Sequence, residues 1–408
     1  MTALGIVAFV VALLLSVMLH EFGHFATAKH YGMKATKFFV GFGPTLWSRT
    51  KGETEYGVKA IPAGGFVKII GMTPLEEVDP GDEERAFYKQ PAGRRAVVLA
   101  AGSAMHFLIA IVLILGVVLT VGMAVAGPAV INTVSTCAPT DDPRAACAPG
   151  APPGPARVAD LQAGDRIVSI DGQPVANWDQ ASQLIRGHGA GKATVVVERD
   201  GKTLTLYPNL VAVQRGPIDN PTGEPKSAVG AMGVVGASTA VFEHPGFIAG
   251  VGDSAKMFGQ LFTGTFEALG KLPASMGAIF RSSQDGGRDP NGAVGVVGAA
   301  DVSGRLLSSE QPFSQRVAAF LLLIAGINVF VGIFNLLPLL PLDGGHLAVL
   351  GYEQGRDRVR RWRGYRGPLQ RVDMNKLMPA AIAVIAVFVV MSVLLMSADI
   401  LNPIRFNP

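Results

Sequence analysis

Near the start of the chain, His20-Glu21-Phe22-Gly23-His24 follows an apolar run, Leu4 to Leu19, that carries no charge. Ionisable side chains at the end of a membrane-grade segment are costly in lipid and tend to be functional. On a helix, residues four apart share a face, so His20 and His24 can hold one metal ion together. Glu21, beside the first of them, is placed to act as a base toward a water on that ion. This is the zinc metalloprotease spacing, here inside a bilayer. The plainer alternative is two snorkelling histidines and a glutamate at a helix end.

A second cluster lies far downstream. Asn335-Leu336-Leu337-Pro338-Leu339-Leu340-Pro341-Leu342-Asp343-Gly344-Gly345-His346 closes a run that is uncharged from Val317. Asp343 is therefore an acid at membrane depth that needs a partner, and an ion held by two histidines lacks ligands. Two neutral histidines and one carboxylate make a three-ligand catalytic zinc site with a position open for water. The prolines break the helix and the glycines let backbone approach closely. Asn335 can bond an unpaired substrate backbone group or polarise a carbonyl. The alternative for Asp343 is a helix-end turn residue before Gly-Gly. A third polar feature, His106 in Gly102-Ser103-Ala104-Met105-His106, most simply makes an interior hydrogen bond; a ligand role is the other reading.

These residues need membrane helices to carry them. The 408 residues are 49% hydrophobic and 16% charged, with a net charge of +4, against about 25% charged in an average soluble protein. That balance describes a multi-pass α-helical membrane protein with room for a soluble domain. Four segments can cross or nearly cross a bilayer: Leu4–Ala28, Ala96–Ala126, Val317–Leu342 and Leu377–Ala398. No basic region or cleavage site precedes the first run, which reads as a retained span rather than a signal peptide. Lys29 to Arg95 carries eleven Lys/Arg and Gly351 to Lys376 carries eight, whereas the longer Gly127 to Gln315 carries fourteen. Cytoplasmic loops collect Lys and Arg. Both termini and the large central region are thus expected outside, with His20 and His24 toward the cytoplasmic face. Two cysteines exclude a Cys-rich zinc fold or a four-thiolate iron–sulfur cluster. A Cys137–Cys147 disulfide is expected on the outer side. No nucleic-acid partner is expected.

The expected order is a first span (1–28), a cytoplasmic-side membrane-associated β region (29–95), a second span (96–126), a compact outer domain with a Cys-containing insertion (127–215), an outer membrane-surface region (216–316), a third span (317–350), a cytoplasmic basic loop (351–376) and a fourth span with tail (377–408). In the β region, Phe38 to Pro44 is apolar and Gly-rich. Tyr56–Ile61 and Phe66–Ile70 read as short strands separated by Pro62-Ala63-Gly64-Gly65. Non-helical backbone near lipid is tolerated where protein or a water-filled cavity satisfies it. A small membrane-embedded sheet with an edge open to strand addition is expected; an ordinary cytoplasmic hairpin domain is the alternative. Glu76 to Arg85 reads as an acidic loop. In the outer domain, Leu161 to Gly172 gives a turn, a strand and an Asp-Gly hairpin turn. Trp178–Arg186 reads as a helix, and Val195–Arg199 and Thr203–Pro208 flank a second hairpin turn at Asp200-Gly201. The Ala-Gly-Asp-x-Ile-x-x-Ile-Asp-Gly string at 163–172 resembles a PDZ domain, whose members bind peptide C-termini by adding a strand; a structural spacer or size filter is the alternative. Phe247–Ile279 has helical periodicity and few charges.

Taken together, His20-Glu21-x-x-His24, Asn335-x-x-Pro338-x-x-Pro341-x-Asp343-Gly344 and a PDZ-like domain between spans two and three resemble the bacterial site-2 protease family. RseP-like members and the actinobacterial regulators of intramembrane proteolysis look nearest. The likeness implies one Zn2+ held by His20, His24 and Asp343, with Glu21 as base and Asn335 on the substrate backbone. The Gly41-Phe42-Gly43 loop and the Tyr56–Gly71 region look like that group's membrane β elements, and Gly41, Phe42, Gly43, Tyr56, Gly57 and Val58 would touch substrate. It also implies cleavage of transmembrane substrates, such as anti-sigma factors and signal-peptide remnants, in the bacterial cytoplasmic membrane after an upstream site-1 protease has acted. The family's second span usually carries Gly-Pro-x-x-Asn; His106 stands here in place of the Asn. The rival readings are an inactive membrane-protein-retaining PDZ protein, and a metal transporter, which would need polar residues on several spans.

Overall fold

The computed structural model describes residues 2–72, 78–142, 145–217, 226–285, 294–367 and 371–401. Of the expected acidic loop Glu76–Arg85, Glu76 and Glu77 lie outside them, as does the tail beyond Leu401, while Pro80–Arg85 form a short 3-10 helix. The chain forms two compact units, one of Met1–Val121 with Pro245–Pro408 and one of Gly122–His244.

In chain order the first unit opens with helix α1 (Thr2–His30), strands β1 (Ala35–Lys51) and β2 (Thr54–Ile69), and helix α2 (Ala92–Thr120). The second unit carries β3 (Met123–Val134), α3 (Pro155–Val158), β4 (Arg166–Ile170), β5 (Gln173–Pro174), α4 (Trp178–His188), β6 (Gly191–Lys192), β7 (Val195–Arg199), β8 (Lys202–Leu206), β9 (Asn209–Arg215), β10 (Ser227–Ala231) and β11 (Val234–Glu243). The chain then returns to the first unit with α5 (Phe247–Asp285), α6 (Val296–Ser308), α7 (Phe313–Asn335), α8 (Asp343–Trp362) and α9 (Met378–Leu401).

Among the described residues, four helices are long and apolar enough to cross a membrane: α1, α2, α7, and α9 with the turn before it. They match the four expected spans because an uncharged run in lipid must satisfy its backbone internally, which a helix does. Some ends differ. The second span stops at Thr120, where Gly122 takes a positive φ of 91°, and Met123–Ala126 belong to β3 rather than to the span. The third span stops at Asn335, before Pro338. The basic stretch expected as a loop from Gly351 instead continues α8 as far as Trp362.

The sheet beside α1 has a doubled register. Phe38 pairs with Val67 on one side and with Tyr56 on the other, and Tyr56 also pairs with Arg49. Each long strand bends on itself, so four segments lie in the order 65–69, 35–40, 54–59 and 45–51. Gly41 and Gly43, both at φ 84°, make the bend in β1. The expected break at Pro62–Gly65 is a bend within the continuous β2, not a gap between strands. Ala28, Met33, Ala35, Ile69, Phe87, Val98, Leu99 and Leu350 form one buried cluster that joins the end of α1, the sheet, α2 and α8. Phe9, Phe320 and Ile324 pack α1 on α7.

In the second unit a sheet runs β11-β3-β4-β7-β8, with β5 beside β4, and β10-β9-β6 form a smaller one. Ile131, Ile167, Ile170, Ile185, Val195 and Val197 fill its core. Both Asp-Gly hairpin turns form, with Asp171, Gly172, Asp200 and Gly201 all at positive φ. Asn177 caps α4 by accepting from Gln180 N at 2.9 Å. The unit extends past Arg215, the expected limit of the outer domain, to include β10 and β11. Cys137 and Cys147 are joined in the expected disulfide.

Candidate metal centre

His20 and His24 sit on one face of α1 near its end, 8% and 3% exposed. Their Nε2 atoms lie 3.1 Å apart. Asp343 Oδ2 lies 3.4 Å from His20 Nε2 and 3.3 Å from His24 Nε2. One donor atom from each of the three residues falls within 4.8 Å of the others.

Two glycine devices bring these residues together. A Cβ on Gly344 would meet the carbonyl carbon of Leu336 at 2.2 Å, and one on Gly345 would meet that of Leu339 at 2.6 Å. The first turn of α8 therefore packs directly on the turn that follows α7, and this sets Asp343 at the start of α8. On the other side, a Cβ on Gly23 would lie 2.5 Å from Ala101 O, and one on Gly102 would lie 2.4 Å from both His20 Cε1 and His24 Nε2. Small residues on both helices thus let α2 close against the histidines.

The proton positions follow from the neighbours. His24 Nδ1 lies 2.7 Å from the Val98 carbonyl oxygen, which can only accept, so the ring carries its hydrogen there. Its Nε2 then presents a lone pair toward Asp343. Asp343 Oδ2 and His20 Nδ1 are buried with no hydrogen-bond partner among the described residues. With the His20 hydrogen also on Nδ1, both Nε2 atoms and Asp343 Oδ2 face one another as acceptors, an arrangement a cation would satisfy, and a ring N–H bonded to a backbone carbonyl is the usual support of a metal-bound histidine.

Glu21 accepts a hydrogen bond from the backbone N–H of Val67 at 3.0 Å. His106 is 2% exposed, and its ring centroid lies 5.0 Å from that of His20. Asn335 is the last residue of α7. Phe42, at the bend of β1, stacks on Phe66 at 6.1 Å and is exposed. Tyr56 packs edge-on against Phe25, next to His24, at 5.9 Å. Tyr56, Gly57 and Val58 lie in an inner segment of the sheet, paired on both sides, so their backbone is already engaged. The edge that meets α1 is 65–69.

The sequence of this chain matches the model of peptidase family M50 over residues 8–366. The chain belongs to peptidase family M50. It is similar to the zinc metalloprotease Rip1 of Mycobacterium tuberculosis, with 39% identity over 405 residues covering 98% of each chain. The Rip1 of Mycolicibacterium smegmatis is 36% identical over 418 residues, covering 99% of each chain. A relative from Brucella suis is 30% identical over 358 residues, covering 85% of each. This M50 peptidase is a multi-pass membrane protein that combines four candidate spans with β-sheet structure.

Reading for side-chain motifs missed the main-chain partners, Val98 O and Val67 N, because a backbone atom leaves no mark in a sequence. It also missed Asn328, which bonds His106, and Ser16, which accepts from Asn328 in turn. A lone Asn inside an apolar run was the available signal for that contact.

Proposed function

We propose that this M50 peptidase is a zinc endopeptidase that hydrolyses peptide bonds within membrane-spanning segments of other proteins. The observation that carries the reading is the meeting of His20, His24 and Asp343 donor atoms within 4.8 Å, across more than three hundred residues of sequence. In this reading the three are the zinc ligands. Bound zinc would lower the pKa of a water and polarise the scissile carbonyl. Glu21 takes the water's proton and passes it to the leaving amine. The Val67 amide holds Glu21 in place, and Asn335 bonds substrate backbone. Helical peptide bonds are shielded by their own hydrogen bonds, so substrate must unwind locally. The 65–69 edge can hold it extended by strand addition, with Phe42 and the Gly41–Gly43 bend alongside. Because Tyr56, Gly57 and Val58 are inner residues, their contribution would come through side chains.

The second unit serves in this scheme as an extracytoplasmic PDZ domain that binds peptide C-termini or excludes bulky ectodomains. Its two Asp-Gly hairpins and the capped α4 support that assignment. The Lys/Arg distribution supports outer termini and a centre near the cytoplasmic face of a bacterial inner membrane. Substrates of this class are membrane-anchored regulators such as anti-sigma factors, and signal-peptide remnants, after a site-1 protease has trimmed them in regulated intramembrane proteolysis. An inactive retention protein would have no use for the converged donor set.

The test is purification in detergent, metal analysis, and incubation with transmembrane peptides with and without a chelator. About one zinc per chain is expected, with cleavage that the chelator abolishes and zinc restores. Cleavage indifferent to the chelator, or no zinc in an active preparation, would overturn the reading.

A further inference from the structure

Three spans each contribute one buried polar residue to a single hydrogen-bonded chain: Ser16 from α1, His106 from α2 and Asn328 from α7, at 4%, 2% and 1% exposure. Its directions are fixed by what each atom can do. Asn328 Nδ2 donates to Ser16 Oγ at 3.0 Å and to the Ile324 carbonyl at 2.8 Å. Ser16 spends its own hydrogen on the Ala12 carbonyl at 3.0 Å, so its oxygen is free to accept. The opposite amide orientation would set two acceptor oxygens against each other at Ile324. Asn328 Oδ1 must therefore be the atom 2.8 Å from His106 Nδ1, and that nitrogen must carry the hydrogen. In a neutral imidazole so fixed, Nε2 is an acceptor.

The ring neighbours the metal centre. It lies 5.0 Å from the His20 ring, tilted by 39°. His106 also shares a face of α2 with Gly102, the residue that closes on both histidines. Neither ring nitrogen of His106 belongs to the trio of donors that fall within 4.8 Å of one another. We propose that His106 serves the centre from outside the metal's ligand set, as a hydrogen-bond acceptor for the water or scissile peptide N–H held there. Asn328 and Ser16 are its positioning residues, and they act by fixing its tautomer. The proposal rests on the peptidase reading. It goes further by giving His106 a defined tautomer and role.

The experiment uses the full chain, labelled with nitrogen-15 in histidine, in detergent at pH 8 and without zinc. The His106 resonance, identified by its loss in His106→Gln, is expected to report the Nδ1–H tautomer. Asn328→Leu should shift it to Nε2–H or a mixture. Asn328→Asp, which keeps an acceptor at Nδ1, should not. With zinc, His106→Leu should lower kcat by roughly 10- to 100-fold with KM within about 2-fold, and leave zinc affinity within about 3-fold. His106→Gln, which keeps an acceptor, should recover most of kcat. A wild-type Nε2–H tautomer, a tautomer indifferent to Asn328→Leu, a wild-type kcat in His106→Leu, or a loss of zinc affinity beyond about 10-fold would each overturn the proposal. If the unaltered protein cleaved no membrane peptide, the peptidase reading would fail by itself. The tautomer measurement, made without zinc or substrate, would still decide the part played by Asn328.

Discussion

The backbone N–H of Val67 donates to Glu21 Oε2 at 3.0 Å. Val67 pairs with Phe38 across the sheet, and its N–H faces outward from the 65–69 edge onto α1. The acid beside the first histidine is therefore aimed by the sheet rather than by its own helix. An extended segment added to that edge would arrive directly against it.

Glu21→Gln keeps an oxygen for the Val67 N–H but abolishes proton uptake. Cleavage of a transmembrane peptide is expected to fall by about 10²- to 10⁴-fold, with zinc content and thermal unfolding unchanged. An active, zinc-loaded Glu21→Gln protein would remove the assigned base.

Gly102→Ala should damage the centre without replacing a ligand, since its Cβ would sit 2.4 Å from His24 Nε2. Zinc affinity, read by competition with a chelator, is expected to fall by about 10- to 100-fold. Gly116→Ala on the same helix meets nothing within 4 Å and should bind zinc as wild type does. Equal affinities in the two variants would contradict the close approach of α2.

Acid should loosen the attachment of the sheet. Arg85, through a paired contact at 2.7 and 2.9 Å, and then Lys29 hold the Glu53 carboxyl down to about 2. The folded pKa is depressed, so this stabilisation is fully present above the ordinary carboxylate value near 4.5 and is lost as pH falls toward 2. The Tm difference between wild type and Glu53→Gln should be constant from pH 7 to 5 and shrink below that. A difference that grows on acidification would refute the linkage.

Asp399, the acid near the end of the otherwise apolar α9, accepts from Gly298 N at 2.8 Å and Gly295 N at 3.4 Å at the start of α6. Asp399→Ala would leave first-turn amides of α6 without this partner. A loss of about 1–3 kcal/mol is expected, measured by denaturant unfolding in detergent. An unchanged midpoint would show that the contact contributes no stability.

The residues of the candidate centre were legible because their spacing is rare. A His pair four apart ends an uncharged run, and Asp-Gly-Gly ends another. The spans were legible because lipid permits few charges, and Asp200-Gly201 because a tight hairpin turn needs positive φ. Other features depend on contacts that composition does not record. Met123–Ala126 are as apolar as the span before them, and only Gly122 marks the change to strand. Arg356 to Trp362 look loop-like by charge, yet they continue α8, which begins at Asp343. The double pairing of Phe38 and Tyr56 cannot be read from strand propensity, which says that a segment is extended but not how many neighbours it takes.

The hydrogen on His24 is held by the Val98 carbonyl. Every amino acid brings the same main-chain oxygen to that place. Sequence drift at position 98 can erode packing but cannot delete the acceptor, so this one contact of the centre survives any substitution there as long as the helix keeps its path.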